Sequence, residues 1–166
     1  MDNIKTVEKK GDVLVDINNI ILFASYICVS DGLIHDKEIQ SINTFLKANN
    51  ISKETREKVN HILGDTEDKI SLDVILNNLK EMDYDNLKQA LIIGLNIAYS
   101  DGFFAPAEEA IIENFLDVTN FNHEDYMEIK EIIIAQKLPI SQKQTQQSLL
   151  SIKAERVIFL MQKKTL

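Results

Sequence analysis

The chain is short of several things. It has one cysteine, no tryptophan, two prolines and five glycines in 166 residues. A lone Cys28 excludes an internal disulfide, so nothing in the chain calls for an oxidising compartment. So few chain breakers disfavour a turn-rich β fold and suit long helices. Positive charge is also scarce: eighteen Lys and Arg stand against twenty-six Asp and Glu, a formal net charge of −8. A dedicated DNA or RNA binder takes its affinity from basic groups facing phosphates, so nucleic acid is not an expected partner. A polybasic membrane-surface protein is disfavoured for the same reason. The longest apolar stretch, residues 20–29, is interrupted by Ser25 and falls well short of the roughly 20 residues that span a bilayer. The N-terminus, MDNIKTVEKKGDV, lacks a signal-peptide core. The expectation is a soluble, cytoplasmic protein with no direct membrane insertion.

What is present is helical periodicity and a hydrophobic content of 45%, enough for a core. Helices are predicted over about 12–30 and 36–49, between Ser52 and Gly64, from Ser71 through a stripe of Leu72, Ile75, Leu76 and Leu79, and over about 86–100, 106–119, 123–136 and 144–163. Gly11 sets off a charged N-terminal arm. Ser52, Ser71 and Asn122 are side chains of capping type where helices should start, and Gly64 is expected as the left-handed residue beyond the third helix.

The element order repeats. A shift of 70 residues superimposes Ile27, Ser30, Asp31, Gly32, Glu38, Ile42, Phe45 and Leu46 on Ile97, Ser100, Asp101, Gly102, Glu108, Ile112, Phe115 and Leu116, eight identities over the 23 positions 24–46. Beyond that window the same shift pairs Val59 with Ile129, Ile62 with Ile132, Leu63 with Ile133 and Leu79 with Leu149. The expected fold is all-α: one domain over 1–166 of about seven or eight helices, with an internal pseudo-two-fold duplication. Its units would run over about 12–82 and 83–163.

The repeated element is SDGLIHDKE (30–38) and SDGFFAPAE (100–108). Gly32 and Gly102 suit a tight helix exit that needs positive φ. Leu33-Ile34 and Phe103-Phe104 are expected to turn inward. The spacing matches the rear half of a calcium-binding EF-hand loop, but positions 1 and 3 would be Ile27 and Val29, or Ile97 and Tyr99, so an ordinary EF-hand is rejected. Two readings of the acids stand side by side. In one, Asp31, Glu38, Asp101 and Glu108 meet and hold a divalent cation, with Asp36 and Glu109 outside them; hard oxygen ligands favour calcium, magnesium or manganese. In the other, Glu38 and Glu108 sit third in their helices and reach back to free N–H groups, while Asp31 and Asp101 cap across the turn. His35 and Ala105 are poor N-caps, so a full capping box is not expected.

These residues resemble a known family. An apolar helix ending in Ser-Asp-Gly, with Glu seven residues after the Asp, resembles the TerB-like domain of tellurite-resistance proteins, which is related to the N-terminal region of a membrane-anchored J-domain co-chaperone. The resemblance covers roughly 12–136 and is nearest in the second copy. His35-Asp36 stands where Asp-Pro is usual, and Ala105 precedes Pro106. The resemblance implies an all-helical cytoplasmic domain with an acidic surface for divalent cations at Asp31, Glu38, Asp101 and Glu108. It also implies a non-enzymatic stress-response adaptor with protein partners, some of them membrane-associated. No His-Pro-Asp motif occurs, so J-domain function is not implied.

Catalysis has no motif behind it. Cys28 lies in an apolar helix, His35, His61 and His123 lack zinc spacing, and no phosphate-cradling glycine loop occurs. The apolar run Val157, Ile158, Phe159, Leu160 and Met161 is too broad for a simple surface face. The last helix is expected to be buried in the core. The alternative is a protein-binding scaffold in which that helix docks a partner, or a second copy in a homo-oligomer, and the acidic turns are caps alone.

Overall fold

A computed structural model describes the backbone of residues 4–137 and the side chains from residue 17 onward. The described part is all-helical: α1 (Ile4–Val29), α2 (Asp36–Ala48), α3 (Lys53–Leu63), α4 (Leu72–Lys80), α5 (Tyr84–Ala98), a 3₁₀ turn (Tyr99–Asp101), α6 (Pro106–Thr119) and α7 (His123–Lys137). The helix expected over 144–163, with its run Val157–Met161, lies outside the described residues. Among the described residues there is no strand, and no helix is long and apolar enough to cross a membrane.

The helix ends follow the side chains that satisfy them. Ser52 Oγ accepts from Thr55 N at 3.1 Å, Ser71 Oγ from Val74 N at 3.4 Å, and Asn122 Oδ1 from Asp125 N at 3.0 Å. α5 begins two residues earlier than the apolar pattern indicates, because Asp83 Oδ1 accepts from Asn86 N at 2.9 Å. α1 runs through Gly11 to Ile4, since one interior glycine costs only about 1 kcal/mol against alanine. The exit from α3 also differs from expectation. Gly64 is right-handed at φ −83°, and Asp65 takes the left-handed place at φ 49°. Gly64 is there for closeness instead: a Cβ would stand 3.1 Å from the Asn60 carbonyl oxygen.

α1 is the central element, packed against α5, α3, α4, α2 and α6. Ile20–Ala24, Ile27 and Cys28 are all buried, which explains a run with no polar face: this stretch of the helix is covered on every side. Ser25 in that run satisfies its hydroxyl on the Ile21 carbonyl at 2.8 Å. α5 lies close against α1 at Gly94, where a Cβ would come within 2.9 Å of Ile27 Cδ1 and 3.4 Å of Phe23 Cε1. One continuous apolar core draws on all seven of the described α-helices, with Phe23 stacked on Phe115 at 5.0 Å between centroids.

The positions paired by the 70-residue shift agree in part. Val59 and Ile129 are both buried, but Ile62 is fully buried whereas its counterpart Ile132 is 50% exposed. α1 packs on α3, which buries Ile62 there. Leu149, the partner of Leu79, lies outside the described residues.

Candidate functional site

The turns 30–38 and 100–108 have the same backbone construction. Gly32 and Gly102 take φ 76° and 88°, and a Cβ on either would meet nothing within 4 Å, so the glycines are needed for conformation and not for space. Asp31 Oδ1 accepts from Leu33 N at 2.8 Å, and Asp101 Oδ1 from Phe103 N at 2.9 Å. Each Asp therefore closes an Asx turn two residues on and does not cap the next helix across the turn, as one reading expected; the nearer N–H is available without extra chain bending. Glu38 Oε2 accepts from His35 N at 2.9 Å and Glu108 Oε2 from Ala105 N at 2.6 Å, the reach-back expected of a third-position Glu. Neither N-cap side chain makes a capping bond in return.

Only half of each apolar pair turns inward. Leu33 and Phe103 are both 64% exposed, while Ile34 and Phe104 are half-buried. Adjacent residues in an extended segment point to opposite sides, so both could not face the core. Phe104 stacks on Tyr99 at 4.9 Å and lies under Lys130 Nζ at 5.4 Å.

The fold brings the turns together through their glutamates. Glu38 and Glu108 are 1% and 4% exposed, and their carboxyl groups are hydrogen-bonded to one another. Two buried carboxyls in contact cannot both ionise cheaply. Burial pushes Glu108 up to about 8, and the carboxylate of Glu38 and the charge of Asp31 push the same way. Burial raises Glu38 as well, but the His35 N–H, the Glu108 hydrogen bond and the His35 ring all favour its charged form. Glu108 is therefore largely protonated near neutral pH, and its carboxyl donates to Glu38. His35 Nε2 also stands 3.8 Å from Asp101 Oδ2 and joins the two turns from outside.

The four expected acids are therefore neighbours of unequal standing. Glu38 and Glu108 touch, and Asp31 and Asp101 act on them through charge. Among the described residues no three His, Cys, Asp or Glu side chains converge as a ready metal-ligand set. Glu109 does not serve as an outer member: its Oε1 pairs with Lys130, and Tyr126 Oη lies 3.5 Å from it. Lys130 comes from α7, 21 residues away in sequence, and no local signal announces it. Asp36 is exposed. Cys28 is buried beneath the acidic pair; desolvation raises its thiol, and Glu38, Glu108 and Asp31 raise it further. It is a poor nucleophile, as the apolar helix implied.

An all-helical domain with two Asp-Gly turns joined at a buried glutamate pair defines the class of protein. Residues 19–131 match the family model described as tellurite resistance protein TerB, so the chain belongs to the TerB family. No curated protein and no solved structure matches it.

Proposed function

We propose that this TerB-family chain is a non-enzymatic adaptor for stress-response or tellurite-resistance partners, whose paired turns exchange the Glu38–Glu108 proton for a divalent cation. The observation behind it is the contact of two buried carboxyls under the added field of Asp31 and Asp101. Such a pair needs a compensating positive charge, and a proton or a hard cation supplies it. Two carboxyls are fewer oxygens than calcium, magnesium or manganese takes, so water and backbone carbonyls would complete the shell. Glu38 and Glu108 would hold the ion; Asp31 and Asp101, each with one oxygen committed to its turn, would attract it.

Calorimetry with calcium, magnesium and manganese tests this in two buffers of different ionisation enthalpy. Binding with proton release in wild type, and its loss in the doubly substituted Glu38→Gln/Glu108→Gln chain, is the expected result. No heat at millimolar metal from a folded wild-type protein would sink the cation site. One observation favours a second reading, a protein-binding scaffold with purely structural turns: all four acids already accept a backbone N–H. In that case partner capture survives the double substitution, measured by pull-down from cells exposed to tellurite.

A further inference from the structure

A groove of about 710 Å³ runs between α2 and α5, and neither Glu38 nor Glu108 lines it. Phe45, Ala48, Ile93 and Ile97 give it an apolar floor. Its polar neighbours are largely spent on their own helices. Ser41 Oγ donates to the Lys37 carbonyl at 2.9 Å, Thr44 Oγ1 to that of Gln40 at 2.7 Å, Asn49 Nδ2 to that of Phe45 at 2.9 Å, and Asn96 Nδ2 to that of Ile92 at 3.0 Å. Groups bonded in this way turn their carbon atoms outward, so the groove suits an apolar occupant. At its end lies Ser100, whose Oγ is buried and, among the described residues, without a partner; the matching Ser30 Oγ donates to the Ile27 carbonyl at 2.7 Å.

Lys137, the last described residue, stands on the rim of this groove. Residues 138–166 continue from that point and include Leu150, Ala154, Val157, Ile158 and Met161, which would form one stripe if 144–163 is helical. The six residues 138–143 can extend about 20 Å, ample to turn a helix back onto α2, itself about 20 Å long. A segment tethered at the rim has an effective concentration in the millimolar range, well above that of a second copy or a free partner. We propose that the α2–α5 groove is covered in cis by this chain's own segment 144–163, with Val157, Ile158 and Met161 seated on Phe45, Ile93 and Ile97. This inference is independent of the cation reading.

Full-length protein carrying Ala48→Cys together with Val157→Cys, Phe159→Cys or Met161→Cys, one pair at a time, tests it under mild oxidation. The native Cys28 is buried and stays out of the exchange. At least one pair should give an intrachain disulfide that runs as a monomer, whereas Asp73→Cys on α4, which packs on α1 and α6, should give none with the same partners. Disulfides only between chains would make the occupant a second copy and overturn the proposal, as would no disulfide from any pair. Hydrogen exchange gives a second reading on the full chain with Val157→Asp/Ile158→Asp. Exchange in α2 should accelerate about tenfold or more while α3 keeps its protection, and an unchanged α2 overturns the proposal.

Discussion

The two turns have one local recipe and different surroundings. In 30–38 the N-cap is His35, Asp31 is exposed, and the preceding helix is α-helical to Val29. In 100–108 the N-cap is Ala105 followed by Pro106, the Asp101 side chain is only 20% exposed, and a 3₁₀ turn leads in. Phe104 is held by Tyr99 and Lys130, while Ile34 lines an open surface cleft with Tyr26 and Ile111. The backbone bonds barely notice these differences. The acidities do: burial raises both glutamates, the His35 N–H, the Glu108 hydrogen bond and the His35 ring hold Glu38 back, and Glu38 and Asp31 push Glu108 further, up to about 8. Like backbone hydrogen bonds do not make equal acids; burial and the neighbouring groups decide.

The largest expected effect on this comparison is that of pH. Glu108 moves from an ordinary 4.5 to about 8 on folding, so the folded state binds more protons than the unfolded state between those values. Its contribution is present in full below about 4.5 and is lost as pH rises through about 8, with a slope approaching 1.4 kcal/mol per pH unit at most. Urea titrations across this window should show stability falling as pH rises, and Glu108→Gln, which keeps a donor toward Glu38, should flatten the profile. A flat wild-type profile would break the account of the pair.

Truncation comes next. Glu108→Ala strands the Ala105 N–H and leaves Glu38 buried without its partner, a loss of about 2–3 kcal/mol in chemical denaturation at pH 6. Gly32→Ala and Gly102→Ala should each cost about 1–2 kcal/mol, and nearly the same amount, because both added Cβ atoms meet open space and only positive φ is penalised. Clearly unequal losses would mean that the turns are less alike than their dihedrals. The smallest effect belongs to His35→Ala, which makes the first turn resemble the second. Stability should change by less than about 0.5 kcal/mol for so exposed a contact, while carboxyl NMR shows the proton moving toward Glu38.

Much of the fold was legible in the residues. Ser52, Ser71 and Asn122 marked starts that the structure keeps, and the third-position glutamates reached back as their place in the helix requires. The misses have a common cause. Hydrophobicity alone points Leu33 and Phe103 inward, yet both are exposed, because which side of a turn is covered depends on the neighbour packed there. Glu109 was grouped with the acids next to it in sequence, yet Lys130 from α7 holds it.

Periodicity, caps and two glycines that tolerate positive φ were enough to specify the seven described helices and their Asp-Gly turns, because these depend on bonds spanning two to four residues. That Glu38 meets Glu108, that Cys28 lies beneath them, and that a groove opens beside Lys137 were decided only when α1 took the centre of the bundle. Contacts between residues 70 apart, and the protonated Glu108 that follows from them, depend on packing and desolvation, which no local stretch of chain contains.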